Sequence, residues 1–163
     1  MLDMDTFREY RRGLMLLRDG HAAVATGILR RAFERDPHNP FYLSYYGLSL
    51  GHAEGKWDVA ERLCNTALCR NRRQAQLYLN LAEVYLASGR RRAAADTLSH
   101  AVQRLPHDIR LHTEFGRLVV RRPPVLHFLP RTHILNRNLG RLRHRLLRYI
   151  PRRRWLAVSE SRA

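Results

Sequence analysis

The stretch "LYLNLAEVYLASGRRRAAADTLSHAVQRLP", Leu77 to Pro106, decides the fold. It reads as two short helices hinged at Ser88-Gly89. Alanine stands at Ala82, Ala94 and Ala101, where a helix in a monomeric domain would carry bulkier residues. Small side chains let one helix backbone approach its neighbour. Glycine takes the left-handed conformation that ends a first helix, and proline cannot continue a second.

The same spacing recurs along the chain, and internal repeats take precedence over any local reading. A small residue stands at Gly13, Gly47, Ala82 and Gly116, with separations of 34, 35 and 34. A turn glycine recurs at Gly20, Gly55 and Gly89. It is followed in register by Ala25, Ala60 and Ala94, then Leu29, Cys64 and Leu98, then Ala32, Ala67 and Ala101. The closing column holds Pro37, Arg72 and Pro106. Two antiparallel helices per unit satisfy this pattern. A single pair leaves an apolar face open, so the pairs must stack and fold through nearest-neighbour contacts. The expected helices lie near 5–18, 22–35, 40–53, 57–70, 75–88, 91–104 and 108–121, with "PHNP" (Pro37 to Pro40) punctuating the first two units.

The pattern resembles the tetratricopeptide repeat family, whose period is about 34 residues. The resemblance covers Thr6 to Arg122. In the third copy, "NLAEVY" puts Leu81, Ala82 and Tyr85 in the family's leucine, small and aromatic columns. Departures are an extra residue between Gly47 and Gly55, Arg72 in the closing-proline column, Arg12 in a usually apolar column, and no tryptophan in its signature column. The resemblance implies an all-α, right-handed superhelical solenoid of antiparallel helix pairs. A repeat array over 1–122 divides into units 6–39, 40–74 and 75–108 and a half unit 109–122.

The resemblance also implies that ligands lie along a concave surface made by the first helix of each unit. Helical geometry puts four residues per unit on that face, within an arc of roughly 80°. They are Phe7, Tyr10, Leu14 and Leu17; then Phe41, Ser44, Leu48 and Gly51; then Gln76, Leu79, Glu83 and Leu86; then Arg110, Thr113, Arg117 and Val120. The face grades from aromatic and aliphatic to basic, suiting a peptide with apolar anchors and an acidic flank. Some family members grip a C-terminal carboxylate with basic and amide side chains. Here those places hold mainly Tyr10, Leu14, Ser44, Leu48 and Gln76, with Asn80 and Arg110 nearby, so that mode is not expected. The expected work is protein–protein interaction, as a scaffold or an assembly chaperone holding a partner segment.

Past Arg122 the pattern changes. Pro123 falls in the turn-glycine column, and "PPVLHFLP" (Pro123 to Pro130) reads as an extended strip that either caps the array or competes for its groove. An amphipathic helix is expected over 133–149, with Leu135, Leu139, Leu142, Leu146 and Ile150 on one stripe and Arg137, Arg141, Arg145 and Arg148 facing away. Residues 151–163 read as a tail. Residues 1–108 hold 16 basic and 12 acidic side chains, whereas 109–163 hold 14 and 2. The alternative function is therefore binding of nucleic acid or an anionic membrane through the C-terminal arginines, with a solvated outer helix face as the plain reading.

The formal charge is +16, and 29 of the 30 basic residues are arginine. Arginine suits bidentate contacts to carboxylate and phosphate. Cys64 and Cys69 on one helix would be roughly 8–9 Å apart, too far for a disulfide, and they form no CxxC pair. HExxH, Walker, GxGxxG and GxSxG patterns are missing, so no enzyme activity, metal or cofactor is expected. The N-terminal "MLDMDTFREY" has no secretory pattern, and a cytoplasmic location is expected.

Overall fold

The computed structural model describes residues 4–119, which form seven helices and no strand. They are α1 (Met4–Arg18), α2 (Ala22–Arg35), α3 (Pro40–Glu54), α4 (Trp57–Arg70), α5 (Ala75–Ala87), α6 (Arg91–Arg104) and α7 (Ile109–Val119). Each lies within two residues of its expected place. The helix, strip and tail expected beyond residue 119 lie outside the described residues.

The turns follow the sequence chemistry. Gly20, Gly55 and Gly89 have φ of 88°, 68° and 83°, the left-handed region where a side chain would be strained. After α1 and α5 the chain closes with a paired motif. Its long bonds run from His21 N to Leu16 O and from Arg90 N to Tyr85 O, both 2.8 Å. After α3 the extra residue of the second unit extends the helix up to Gly55. A single bond from Gly55 N to Gly51 O, 2.9 Å, then replaces the pair. The insertion thus changes the type of helix cap and leaves the glycine in its role.

The small column is a packing device. A Cβ on Gly47 would lie 2.9 Å from Leu63 Cβ and 3.2 Å from the Ala60 carbonyl. One on Gly13 would lie 2.7 Å from Leu29 Cγ. Ala25, Ala60 and Ala94 are fully buried, as are Leu29, Cys64 and Leu98 one turn later. At Gly116 a Cβ would meet nothing within 4 Å among the described residues. There the column survives, but no described helix packs on it.

Stacking sets the curvature. Consecutive odd-numbered helices touch (α1 with α3, α3 with α5, α5 with α7). Even-numbered helices touch only odd-numbered ones among the described residues. The odd helices therefore form the inner wall and the even helices fan apart outside it. Arg12 now has a physical account. Its equivalent Tyr46 stacks on Phe33 of the preceding unit and Leu81 is buried, whereas no described helix packs outside the first pair.

Candidate functional site

Four expected contact columns run along the odd helices, and they separate into joints and open surface. The second column belongs to the joints. The Tyr10 ring sits 4.8 Å from Tyr42 and 5.7 Å from Tyr45, tilted and edge-on, which ties α1 to α3. Ser44, one unit along, is fully buried. Its Oγ accepts from Asn80 Nδ2 at 3.0 Å, and Asn80 Oδ1 accepts from Gln76 Nε2 at 2.9 Å. The Cys64 thiol donates to the Ser44 carbonyl at 3.4 Å. The Ser44 hydroxyl thus joins α3 to α5 through Asn80 and to α4 through the Cys64 sulfur. Leu79 is likewise buried.

The third column is mixed. Leu48 and Glu83 are buried, with Glu83 Oε1 lying 3.8 Å from His52 Nε2. Their side chains lie within the array. Leu14 is half-buried and Arg117 exposed. In the outer columns Gly51 packs on the Trp57 ring, where a Cβ would lie 2.6 Å from it. Leu17, Phe41, Gln76, Leu86 and Arg110 are half-buried, Thr113 is exposed, and Phe7 is 44% exposed. Val120 and Arg137, Arg141, Arg145 and Arg148 lie outside the described residues.

Among the described residues, the exposed apolar residue of these columns is Phe7 on α1. Phe7 stands 6.3 Å from Tyr10, which is backed by Tyr42 and Tyr45. Burial pushes the phenols of Tyr10 and Tyr45 upward. Tyr45 reaches about 12, against the opposing influence of Arg110, the Asn80 bond and Arg18. Both stay neutral and apolar in character at physiological pH.

The basic end of the face is less basic than its sequence implies. Arg110 grips Asp108 through two bonds, Nε to Oδ1 at 3.2 Å and Nη2 to Oδ2 at 2.8 Å. The Arg110 bond holds the Asp108 carboxyl below its usual range. Arg117 pairs with Glu114 one turn back. Both cations therefore already hold a carboxylate.

Sequence reasoning missed Asn80 as the joint's polar hub, and it missed Tyr42 and Tyr45 as the backing of Tyr10. The run of tyrosines in "FYLSYYG" was the available signal for the second. Among the described residues no cluster of metal-ligating side chains occurs, and no helix is long and apolar enough to cross a membrane.

The tetratricopeptide repeat family model matches residues 52–113. Comparison with curated proteins gives no match. Among solved structures, the chain resembles the first such domain of Spaghetti (RPAP3) bound to the HSP90 peptide SRMEEVD. That likeness has 18% identity and a TM-score of 0.58 over 72% of this chain and 95% of that one. The second domain of human RPAP3 in complex with the HSP70 peptide SGPTIEEVD is 16% identical, with a TM-score of 0.56 over 72% and 98%. A thermophilic repeat protein of Thermus thermophilus, TTC0263, is 22% identical, with a TM-score of 0.60 over 69% and 63%. At these identities the likeness concerns the fold.

Proposed function

We propose that this chain, whose residues 52–113 match the tetratricopeptide repeat family model, acts without catalysis, holding a segment of a partner protein on the face of its odd helices. The observation that carries this reading is the half-open aromatic platform of α1. Phe7 is exposed beside a Tyr10–Tyr42–Tyr45 cluster, and Leu14 and Leu17 are half-buried on the same helix. A large apolar side chain held by a packed second layer loses little conformational freedom when a partner covers it. That two RPAP3 domains of this fold carry peptides supports a protein segment as the occupant. A scaffold and an assembly chaperone both work through such contacts.

The partner's anchor is apolar. An acidic flank would have to exchange with Asp108 and Glu114 for Arg110 and Arg117, so it adds little at this face. The test is capture of partners from nuclease-treated lysate at high salt by the full chain, by a Phe7→Glu variant and by an Arg62→Glu variant on α4. Loss of a protein partner with Phe7→Glu alone supports the reading. Retention by Phe7→Glu overturns it. Recovery abolished by nuclease moves the function to the C-terminal arginines.

A further inference from the structure

Among the described residues, four arginines that form no ion pair lie on one edge of the array, and we propose that this edge docks an extended acidic segment of a protein. The edge is made of the loops that join one helix pair to the next, residues 36–39, 71–74 and 105–108. In the middle loop the closing column holds Arg72 where the others hold Pro37 and Pro106. The preceding position also changes, from Asp36 to Asn71. Both side chains perform the same local task. Asp36 Oδ1 accepts from His38 N at 3.2 Å, and Asn71 Oδ1 accepts from Arg73 N at 3.1 Å. The change keeps the turn and removes a negative charge.

The turn does not require the arginines either. Asn71 N still donates to Ala67 O at 3.2 Å, and Tyr78 Oη donates to the Arg72 carbonyl at 3.2 Å. Arg70, Arg72 and Arg73 are all exposed, as is Arg104 at the same end of α6. Arg70 donates to the Pro37 carbonyl, a neutral acceptor that leaves its charge in place and holds it across two loops. None of the four forms an ion pair among the described residues. Elsewhere on the array Arg8, Arg30, Arg35, Arg90, Arg110 and Arg117 each hold one, whereas Arg12, Arg31, Arg62, Arg91 and Arg92 form none among the described residues and are spread over α1, α2, α4 and α6.

The chemistry of the edge selects its occupant. Guanidinium forks match carboxylates in bidentate geometry. The three loops contain no phenylalanine, tyrosine or tryptophan; their aromatic rings are the imidazoles of His38 and His107 in the outer loops, and the arginine-bearing middle loop has none for stacking single-stranded bases. Ile109, the first residue of α7, stands at the far end and is 79% exposed. A phosphate backbone gains nothing from an isoleucine, whereas an acidic peptide carrying an apolar residue meets both features. With packed helices 8–10 Å apart, three loops span about 20 Å, roughly six residues of extended chain. This surface is independent of the α1 platform.

The probe is a fluorescent oligoglutamate peptide ending in leucine, titrated by anisotropy into the full-length chain at low salt. Arg72→Glu/Arg73→Glu should weaken binding on the order of tenfold or more. Arg104→Glu should weaken it severalfold with the middle loop intact, and supplies the reading if the double variant fails to fold. Ile109→Ser should lose the gain that leucine gives over plain oligoglutamate. Phe7→Glu should leave all of these affinities unchanged, which separates this edge from the partner face. Unchanged affinity in the folded arginine variants overturns the proposal. So does a DNA duplex that binds more tightly than the peptide and shows the same losses.

Discussion

The joint between the first and second helix pairs and the joint between the second and third occupy equivalent columns and are held differently. The first is aromatic: Tyr10 lies against Tyr42 and Tyr45, and Phe33 stacks on Tyr46 at 5.8 Å. The second combines an apolar cluster of Leu43, Ala67 and Leu77 with the Gln76–Asn80–Ser44 chain, buried at Asn80 and Ser44. An aromatic joint is forgiving in direction and expensive to truncate. A hydrogen-bonded joint is narrower: it stabilises one register, and it costs most when a single partner is removed. The difference teaches that one column can carry either physics, provided each side chain finds its match in the next unit.

The largest effect should come from the aromatic joint. Tyr45→Ala removes one ring of three, leaves a cavity beside Tyr10, and should cost about 3–5 kcal/mol in urea unfolding. In the polar joint, Asn80→Ala leaves the Ser44 hydroxyl without its donor and should cost about 1–3 kcal/mol. A double-mutant cycle with Ser44→Ala sharpens this, since a coupling energy of about 0.5–3 kcal/mol is expected between residues in one network. Additive losses would mean that Asn80 acts through packing alone.

A smaller effect concerns pH on the outside of the second joint. Glu61 accepts from Tyr85 Oη at 2.7 Å and pairs with Arg90 Nη2 at 2.7 Å, tying α4 to the end of α5. The tyrosine bond first, then Arg90, holds its carboxyl below the ordinary glutamate range, and burial opposes them. Its folded pKa is thus below its unfolded one. The contribution is complete above the unfolded value and is lost as pH falls through the folded value. Glu61→Gln should lower stability slightly at neutral pH, where that contribution is present, and change little at the acid end, so that the acid limb flattens. The smallest perturbation is a labelling test. Burial pushes the Cys64 thiol up to about 12, so in the native chain only Cys69 should react with a thiol reagent, and Cys64 should follow on unfolding.

Much of the fold was legible before any coordinates, for reasons visible at single residues. Gly20, Gly55 and Gly89 announced helix ends because few residues other than glycine adopt their backbone angles readily. Ala25, Ala60 and Ala94 marked close helix approach because their columns tolerate no bulk. The candidate site was less legible. Helical spacing placed Tyr10, Ser44 and Leu79 on the inner wall, but one helix cannot say whether a wall residue faces solvent or the neighbouring unit. That answer depends on Tyr42, Tyr45 and Asn80, which come from the next repeat.

Local sequence thus determined which segments are helical, where each ends, and that pairs must stack, because these follow from backbone sterics and apolar periodicity within one repeat. Tertiary structure alone decided which wall residues stay open, that Arg110 and Arg117 are already neutralised, and that Arg70, Arg72, Arg73 and Arg104 are not. Burial and ion pairing are properties of the partner side chain's position. That position is set by the packing of units whose contacts lie about 35 residues apart in the chain.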